Sequence, residues 1–476
     1  MGIFSKTVTC SYCGMTYPEK EAEWRCNSVE CTEEGKLEAD PVFNEHHKSV
    51  TPVKLPRIIP NPKMQKGTAV CEICGKAHSI RICKNCHSEM PDVRESLLGN
   101  NIICPYCFSM FAEDYAQWRC NQYQCSKREN LELDSSYFIY HKSAQPRMPH
   151  IIPNPTVKGG FAKCDKCGGD TNVRICPVCH SKLPDSKENI IISIVGVPGA
   201  GKSYYVGTLL RQLKTHINRF DCNFRFTTTA DEDLYNDKFE RPFSKHIPVI
   251  KTAAPTDEDN FISANTPILC NIQDSKCTRT FTFFDAAGEN FDDPVIMQAV
   301  AKYLQHSAAI LLLLDPTQIT EVQGAVSGIS DKDAHRISYT KTLTHIMDVI
   351  RSQRKMKPDT PIDIPIAIVF TKWDLIENSP ELSRPDSITA LDSPHFQKGF
   401  SLQDCDNISM EVESRLAGWH YENFLQMVKN NFKTCKFFAV SAIGAAPDSK
   451  GVPQIVSKRV EDPFLWLLHS RKMIVK

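Results

Sequence analysis

The chain has 476 residues, and its 56 Lys and Arg balance its 56 Asp and Glu, so the formal net charge is zero. This balance argues against a nucleic-acid or anionic-membrane partner, and the length predicts about two to four domains. The longest apolar run, AAILLLL (308–314), is far shorter than the ~20 residues that span a bilayer. The N-terminal MGIFSKTVTC has no apolar signal-peptide core, and Lys6 breaks the myristoylation pattern, so we expect no membrane association and a cytoplasmic location.

The N-terminal part of the chain is an internal duplication. Sixteen of the 21 cysteines lie before residue 180. CSYCGMTYPEKEAEWRCNSVEC (10–31) aligns with CPYCFSMFAEDYAQWRCNQYQC (104–125) at an offset of 94, and segment 58–92 aligns with 151–185 at an offset of 93. One ancestral unit has therefore been copied once, and each copy carries eight cysteines.

The cysteines occur in closely spaced pairs, which in a reducing compartment indicate metal binding rather than disulfides. Two such pairs close a tetrahedral four-thiolate site with no position open for catalysis, so we predict four structural zinc sites. Spacers of about 40 residues favour the pairing of neighbouring cysteines along the chain. The predicted groups are Cys10, Cys13, Cys26 and Cys31; Cys71, Cys74, Cys83 and Cys86; Cys104, Cys107, Cys120 and Cys125; and Cys164, Cys167, Cys176 and Cys179.

Two alternatives stay open for these sites. Pairs could be exchanged between neighbouring modules, and His87 or His180 could replace a thiolate, although we favour a position outside the ligand set for both histidines. Trp24 and Trp118, in the repeated WRC, are expected to pack beside the metal. Iron in place of zinc is the further alternative.

The charge of this half predicts its kind of partner. Residues 1–185 contain 23 Lys and Arg and 21 Asp and Glu, and sixteen thiolates holding four dications would make the half net acidic. A net acidic half disfavours binding of a phosphate backbone and favours a protein-contact or ligand-sensing role. The predicted domains are a first zinc-ribbon pair at 1–94, a second at 95–187, and a third domain at 188–476.

The third domain begins with a phosphate-binding pattern. NIIISIV (189–195) predicts a buried strand, GVPGAGKS (196–203) a turn and YYVGTLLRQLKTHI a helix, which is the context that the G-x-x-x-x-G-K-[ST] pattern requires. Lys202 is expected to reach the β- and γ-phosphates, and Ser203 to hold Mg²⁺. The predicted phosphate-binding residues are Gly196, Pro198, Gly199, Ala200, Gly201, Lys202, Ser203 and Tyr204.

Further apolar runs each end in a polar motif. RTFTFFDAAGEN (279–290) predicts a strand that ends at Asp285, whose carboxylate would bind Mg²⁺ through water, while the Gly288 N–H would meet a γ-phosphate. ILCNIQD (268–274) precedes this strand and predicts an antiparallel hairpin with it. AAILLLLDP (308–316), PIAIVFTKWD (365–374) and KFFAVSAIG (436–444) predict three more buried strands.

These motifs resemble those of P-loop GTPases of the translation-factor-related (TRAFAC) class. The first, third, fourth and fifth G motifs correspond to Gly196–Ser203, Asp285–Gly288, Thr371–Asp374 and Ser441–Ala442. The resemblance implies that the Asp374 carboxylate accepts hydrogen bonds from guanine N1–H and the 2-amino group, which adenine lacks. It also implies that the Lys372 stem lies along the base, that Thr371 and Ser441 belong to the base site, and that the Ala442 N–H meets guanine O6.

A narrower resemblance covers about residues 190–476. GVPGAGKSYYVGTLL, FFDAAGEN, FTKWD and the terminal VEDPFLWLLHS (460–470) are similar to the double-GTPases of bacterial conflict systems, some of which carry zinc ribbons. The resemblance implies a nucleotide switch in antiviral defence that acts through partners. The expected fold is an α/β P-loop GTPase domain with a mostly parallel sheet and a Ras-like core with insertions, preceded by duplicated zinc-ribbon modules.

The sequence departs from the Ras-like pattern at the water-positioning residue. Glu289 stands where those enzymes have Gln, and its charge opposes the γ-phosphate, so hydrolysis is expected to need a partner or a dimer. The predicted catalytic residues are Lys202, Ser203, Asp285, Gly288 and Glu289, of which Ser203 and Asp285 are also magnesium ligands. The candidates for the switch I threonine are Thr227, Thr228, Thr229, Thr252 and Thr266, with preference for the segment just before the hairpin.

The remaining segments predict packing elements. RISYTKTLTHIMDVIRSQ (336–353) and SRLAGWHYENFLQMVKNNF (414–432) are each predicted to be one amphipathic helix, and DPFLWLLHS the closing helix.

We expect GTP with Mg²⁺ as the ligand and GTP hydrolysis as the reaction. The alternatives are a GTP-loaded scaffold with little turnover and an ATP-dependent enzyme.

Overall fold

The computed structural model describes two compact units, Met1–Asp185 and Ser186–Lys476. The described residues are 7–10, 12–47, 52–65, 67–91, 101–141, 147–186, 188–196, 199–249, 267–285, 303–326, 338–445, 451–452 and 454–473. Among these residues, no helix combines the length and the apolar character that crossing a bilayer requires.

The first unit contains the two copies of the repeat, each built from short antiparallel strands and short helices. In the first copy the strand pairs are Thr7–Thr9 with Thr16–Pro18, Glu23–Cys26 with Ser79–Ile82, Glu38–Ala39 with Lys54–Leu55, and Lys63–Gln65 with Thr68–Val70. Its α-helices are Val29–Thr32 and Pro41–His46, and its 3₁₀ turns are Glu19–Glu21 and Glu34–Lys36. Strands this short cannot enclose a large core, so buried cysteines make up much of the interior.

The second copy repeats this arrangement. Its strands pair as Asn101–Ile103 with Met110–Ala112, Gln117–Arg119 with both Ile151–Ile152 and Arg174–Ile175, Glu132–Leu133 with Arg147–Met148, and Phe161–Lys163 with both Val157–Lys158 and Asp170–Thr171. Its α-helices are Tyr123–Ser126 and Ser135–His141, and its 3₁₀ turns are Glu113–Tyr115 and Arg128–Asn130.

The two copies contact each other, and most of the contact residues differ between them. The Glu89 carboxylate of the first copy accepts hydrogen bonds from the hydroxyls of Ser135 and Ser136 in the second, the latter at 3.0 Å. The rings of Tyr12 and Tyr140 meet edge to face with centroids 6.0 Å apart. Lys182 is the residue of the second copy that corresponds to Glu89, so the repeat is not symmetric at this contact.

The second unit is built around a seven-stranded sheet. Its strands are β1 (Glu188–Gly196), β2 (Asn223–Phe226), β3 (Ile268–Gln273), β4 (Thr278–Asp285), β5 (Ala309–Leu314), β6 (Ile366–Phe370) and β7 (Cys435–Ala439). The order across the sheet is β2-β3-β4-β1-β5-β6-β7. Strands β4, β1, β5, β6 and β7 are mutually parallel, while β3 and β2 are antiparallel to their neighbours. The carboxyl ends of the parallel strands therefore meet at one edge, where ligands bind in sheets of this kind.

The central strands are continuous apolar runs because helices cover both faces of a parallel sheet. Every residue of β5 and of β6 is buried, as are the last seven residues of β1. The predicted hairpin between β3 and β4 is present, with Ile268 opposite Phe283 and Gln273 opposite Thr278.

Helices of the second unit lie between these strands in the chain. They are α1 (Lys202–His216), Thr229–Tyr235, Arg241–Ser244, Thr320–Ala325, Tyr339–Gln353, Asp374–Glu377, His395–Lys398, Leu402–Gly418, Glu422–Asn431 and Asp462–Ser470. Ile217–Phe220, Pro316–Gln318 and Ile388–Ala390 are 3₁₀ turns, and Asn236–Glu240 is a π-helical turn.

One predicted helix is wrong in its extent. Segment 414–432 belongs to two helices, Leu402–Gly418 and Glu422–Asn431, rather than to one. His420 between them has a φ of 59°, a left-handed conformation that a continuing α-helix does not contain. The other two predicted packing helices are present, and the closing helix buries Phe464 and Trp466 as expected.

Candidate functional site

The sixteen predicted metal-ligating cysteines form four groups, but the sequential grouping is wrong. The structure groups them as Cys10, Cys13, Cys83 and Cys86; Cys26, Cys31, Cys71 and Cys74; Cys104, Cys107, Cys176 and Cys179; and Cys120, Cys125, Cys164 and Cys167. In each copy the first and last cysteine pairs form an outer group that encloses an inner group made by the middle pairs. The alternative of exchange between modules is the one observed.

The geometry of all four groups fits a tetrahedral zinc ion. Eight Sγ–Sγ separations within the groups lie between 3.5 and 3.9 Å. Four thiolates about 2.3 Å from one zinc ion would be about 3.8 Å apart. Each group is all-sulfur and mostly buried, so such an ion would be structural.

The nested grouping arises because antiparallel strands bring distant parts of the chain together. The strand that ends at Cys26 pairs with Ser79–Ile82, which directly precedes Cys83. Short C-x-x-C loops then present both thiolates of a pair, as where the Gly75 N–H donates to the Cys71 carbonyl at 2.9 Å. Trp24 and Trp118 pack against the inner groups, as predicted.

The two histidines are not members of the cysteine groups. His87 and His180 follow the last cysteine of their pairs and have φ values of 55° and 56°. In the other four C-x-x-C loops this left-handed position is held by Gly14, Gly75, Gly168 and Phe108, so each histidine is part of the turn.

Each histidine instead contacts a buried carboxylate. His87 Nδ1 donates to Asp40 at 2.8 Å, and the Arg25 guanidinium donates to the same carboxylate. Burial raises the pKa of Asp40, but hydrogen bonds from His87, the Phe43 N–H and Arg25 outweigh that effect and lower it well below its ordinary value. The Asp40 side chain is therefore a buried anion held by hydrogen bonds from the Arg25 guanidinium and the His87 ring.

The phosphate-binding turn has the backbone that its sequence predicts. Gly199 and Gly201 have φ values of 76° and 72°, which disfavour any side chain. A Cβ on Gly196 would lie 2.6 Å from the Leu313 carbonyl oxygen of β5, so only glycine permits this close approach. Lys202 Nζ donates to the Gly196 carbonyl at 3.0 Å, and its ammonium therefore lies over the turn.

The residues after the turn connect it to neighbouring elements. Ala200 is fully buried, and its carbonyl accepts a hydrogen bond of 2.8 Å from the Thr371 hydroxyl. Ser203 is the second residue of α1, whose N-terminus faces the turn. The Tyr204 hydroxyl accepts from the Val249 N–H at 3.2 Å.

The Thr371–Asp374 motif follows β6 and lies next to the phosphate-binding turn. The Thr371 hydroxyl contacts both the Ala200 and the Leu314 carbonyls, so it joins the turn to the end of β5. Lys372 has a φ of 52°, and its Nζ lies 2.6 Å from Asp315 Oδ2. Asp315 is buried, while the Lys372 side chain is 39% exposed, so the ion pair fixes the lysine stem along the outer side of the site.

The Asp374 carboxylate is fixed from the neighbouring strand end. The Ser441 hydroxyl, just past β7, donates to Asp374 Oδ1 at 2.5 Å and accepts from the Gly444 N–H at 3.0 Å. The Ala442 carbonyl accepts from the Thr208 hydroxyl of α1 at 3.2 Å. The structure thus brings Thr371, Lys372, Asp374, Ser441 and Ala442 to the same edge as the phosphate-binding turn.

Several predicted residues lie outside this description. Pro198, Gly288, Glu289, Thr252 and Thr266 are not among the described residues, and Asp285 is described only as the backbone end of β4. Thr228 caps the helix Thr229–Tyr235 by accepting from the Asp231 N–H.

Sequence inspection missed Asp315 and Thr208. Asp315 directly follows the apolar run of β5, at the same sheet edge as Thr371, and that placement was a usable signal. The contact of Thr208 with a residue 234 positions later has no signature in the sequence.

The strand order, the phosphate-binding turn and the motifs at the strand ends define the second unit as a P-loop GTPase fold with a mostly parallel sheet. Residues 193–398 match the sequence model of a family described as Double-GTPase 1. The predicted resemblance to the double-GTPases is confirmed over this segment, which includes both the phosphate-binding turn and the Thr371–Asp374 motif.

Individual proteins and solved structures that resemble the chain share 22% sequence identity or less with it. The chain is 22% identical over 391 residues to SaeC of Mycolicibacterium smegmatis, described as a proposed ESX-1 scaffolding and assembly protein, and the match covers 76% of this chain and 97% of SaeC. The SRb-GTP/SRX complex of the signal recognition particle receptor from Chaetomium thermophilum is 14% identical with a TM-score of 0.26, covering 55% of this chain and 94% of that one. The GTPase-like domain of S. cerevisiae Ski7, bound to GTP, is 14% identical with a TM-score of 0.29, covering 60% and 50%.

Proposed function

We propose that this protein is a guanine-nucleotide switch that binds GTP with Mg²⁺ in its second unit and contacts a protein partner through its first. GTP binding is supported by the family match and by the fold. The observation that carries the proposal is the Asp374 carboxylate, which Ser441 holds beside the loop that follows β6. A carboxylate fixed in this way is suited to accept the two donors on the guanine edge.

The phosphate end of the site supports the same proposal. Backbone N–H groups of residues 199–204 would surround the phosphates, and the Lys202 ammonium would move from the Gly196 carbonyl to the β- and γ-phosphates. Ser203 and Asp285 would hold Mg²⁺, which supplies charge neutralisation between the phosphates. The Gly288 N–H would meet the γ-phosphate. Hydrolysis would be slow because Glu289 stands where Ras-like enzymes have the water-positioning Gln, and its charge opposes the γ-phosphate.

Nucleotide choice is tested by calorimetry of GTP and ATP binding to the full chain. We expect GTP to bind and ATP to bind at least 100-fold more weakly, because adenine offers Asp374 no matching donor pair. Asp374→Asn should weaken GTP about 100-fold and favour xanthosine triphosphate, whose O2 can accept from the new amide. Asp359→Asn, at an exposed carboxylate, is the matched control. Equal binding of ATP and GTP by the wild type would overturn the assignment.

A second candidate function is a GTP-loaded scaffold with little turnover. The similarity to SaeC, a proposed scaffolding and assembly protein, favours it. Phosphate release under multiple-turnover conditions separates the two candidates, since a scaffold yields less than one phosphate per chain and a hydrolysing switch yields many.

The proposed cellular role is antiviral defence in the cytoplasm. The resemblance to conflict-system GTPases supports antiviral defence, and sixteen paired thiolates support a reducing, cytoplasmic compartment. Bacteria that carry the wild-type gene should then resist phage, and those that carry Asp374→Asn should not. Equal plating of phage on both strains would contradict the defence role without affecting nucleotide binding.

A further inference from the structure

One buried carboxylate in each copy connects the outer cysteine group to the inner group. In the first copy, Asp40 accepts from Arg25, which directly precedes Cys26 of the inner group. The same carboxylate accepts from His87, which directly follows Cys86 of the outer group. The Asp40 and Arg25 side chains are 6% and 5% exposed, so water contributes little to holding these charges.

The second copy repeats this connection with the same three residue types. Asp134 accepts from Arg119 at 2.5 Å and from His180 at 2.7 Å. Arg119 precedes Cys120 of its inner group, and His180 follows Cys179 of its outer group. The arrangement therefore occurs twice in one chain, although the surrounding sequence has diverged.

The backbone provides a second connection between the groups. Arg25 and Cys26 lie on the strand that pairs with Ser79–Ile82, with Arg25 opposite Ile80. Cys83 of the outer group is the next residue of that partner strand. Metal binding at either group would therefore fix one end of the same strand pair.

We propose that the two metal sites within each copy are thermodynamically coupled, with Asp40 and Asp134 as the positioning residues that carry the coupling. A buried carboxylate is costly unless both of its hydrogen-bonding partners, the arginine and the histidine, are in place. A metal at the inner group seats the arginine, and a metal at the outer group seats the histidine, so each binding event prepares the carboxylate for the other. The inference goes beyond nucleotide binding and depends only on metal occupancy of the cysteine groups.

Loop closure sets a lower limit for this coupling. The outer group alone closes a loop of about 70 residues, whereas with the inner group already closed the effective loop is about 20 residues, which favours the outer site at least about fivefold. The carboxylate contacts add to this factor, and couplings between sites are typically about 5- to 150-fold. Because linkage is reciprocal, loss of either site must weaken the other by the same factor.

The test measures zinc retained by the full chain, under reducing conditions, against a graded concentration of chelator. Wild type is expected to hold four zinc ions per chain, in line with its four cysteine groups. Cys26→Ser with Cys31→Ser removes the inner site of the first copy. The outer zinc of that copy should then be released at a chelator concentration more than fivefold lower, while the two zinc ions of the second copy are unaffected. Cys83→Ser with Cys86→Ser should weaken the inner zinc by the same factor.

The role of the carboxylate is tested by Asp40→Asn, which keeps all sixteen thiolates. This variant alone should release both zinc ions of the first copy at lower chelator and leave those of the second copy unchanged. In its background, removal of the inner site should shift the outer zinc by only the fivefold of loop closure. Glu38→Gln, at an exposed carboxylate nearby, is the matched control.

The possible failures are distinguishable. A wild-type chain that binds no zinc would overturn metal occupancy itself. If the Cys26→Ser, Cys31→Ser variant released its three remaining zinc ions together at the wild-type chelator concentration, the coupling would be overturned. If removal of the inner site lowered the chelator concentration that releases the outer zinc as strongly in Asp40→Asn as in wild type, the role of the carboxylate would be overturned.

Discussion

The Ser441 hydroxyl donates a hydrogen bond of 2.5 Å to Oδ1 of Asp374, and this contact joins loops that follow two different strands. Asp374 begins a short helix after β6, whereas Ser441 follows β7 and forms an antiparallel bridge with Lys458. A carboxylate anchored from a separate strand loses little freedom when it meets a ligand. If Asp374 binds the base as proposed, its geometry is set before nucleotide arrives.

Removing this anchor should weaken GTP binding without abolishing it. Ser441→Ala deletes one hydrogen bond to a charged acceptor, and we expect about a fivefold to tenfold loss of GTP affinity in calorimetry. Ser352→Ala, at an exposed hydroxyl, should bind GTP as wild type does. If Ser441→Ala bound GTP with wild-type affinity, the anchor would have no part in nucleotide binding.

Asp315 should act on the nucleotide through Lys372. Asp315→Asn keeps an acceptor for the Thr317 N–H but removes the charge that holds the lysine, so GTP affinity should fall about fivefold. Lys372→Met should produce a similar loss, and the double variant should be no worse than either single one. Additive losses in this cycle would show that the two residues act separately.

The close approach of β1 to β5 makes Gly196 a stability determinant. Gly196→Ala places a Cβ 2.6 Å from the Leu313 carbonyl oxygen, which is backbone and cannot rotate away. We expect a loss of about 1–3 kcal/mol in the free energy of unfolding, measured by chemical denaturation of the second unit. Gly324→Ala lies in the helix Thr320–Ala325 with open space around its Cβ, so it should be neutral or stabilising. A neutral Gly196→Ala would mean that the strands can separate at no cost.

Much of the second unit was predictable because its strands are long apolar runs that end in recognisable motifs. The runs that became β1, β5 and β6 are buried along nearly their whole length, and a buried parallel strand has this composition. β2 (Asn223–Phe226) was not predicted, because it is a four-residue edge strand in which two exposed residues interrupt the two phenylalanines, so it contains no apolar run. The break at His420 was missed because helical periodicity continues on both sides of it.

The cysteine grouping shows the limit of spacing arguments. The sixteen cysteines and the number of groups were predicted correctly, but chain proximity assigned the cysteine pairs to the wrong groups. Loop-closure cost rises only logarithmically with length, so it discriminates weakly between a spacer of about 40 residues and one of about 70. The strand pairing of Glu23–Cys26 with Ser79–Ile82 decides the outcome, and two four-residue strands give little signal in the sequence.

The raised pKa of Glu461 should make the stability of the second unit depend on pH. It directly precedes the closing helix, where burial and the neighbouring charge of Asp462 raise its pKa from 4.5 to about 7. Below pH 4.5 the carboxyl is protonated in both the folded and the unfolded chain, so it has no effect on stability there. Between about pH 4.5 and 7 the unfolded chain ionises while the folded one stays protonated, so the free energy of unfolding should fall by up to about 3 kcal/mol.

Glu461→Gln removes this ionisation while it keeps the size and polarity of the side chain. The variant should unfold at a higher temperature than wild type at pH 8, and the difference should shrink toward pH 4.5 as wild type becomes protonated. The measurement is the calorimetric unfolding temperature of the full chain across this range, with the exposed Glu381→Gln as the control. Burial also raises the pKa of the neighbouring Asp462, despite the opposing effects of His395 and of Arg459, which donates to it at 2.8 Å. Asp462 should therefore add to the same fall in stability, and Glu461→Gln should reduce the pH dependence rather than abolish it. An unreduced dependence in the variant would assign it to groups other than Glu461.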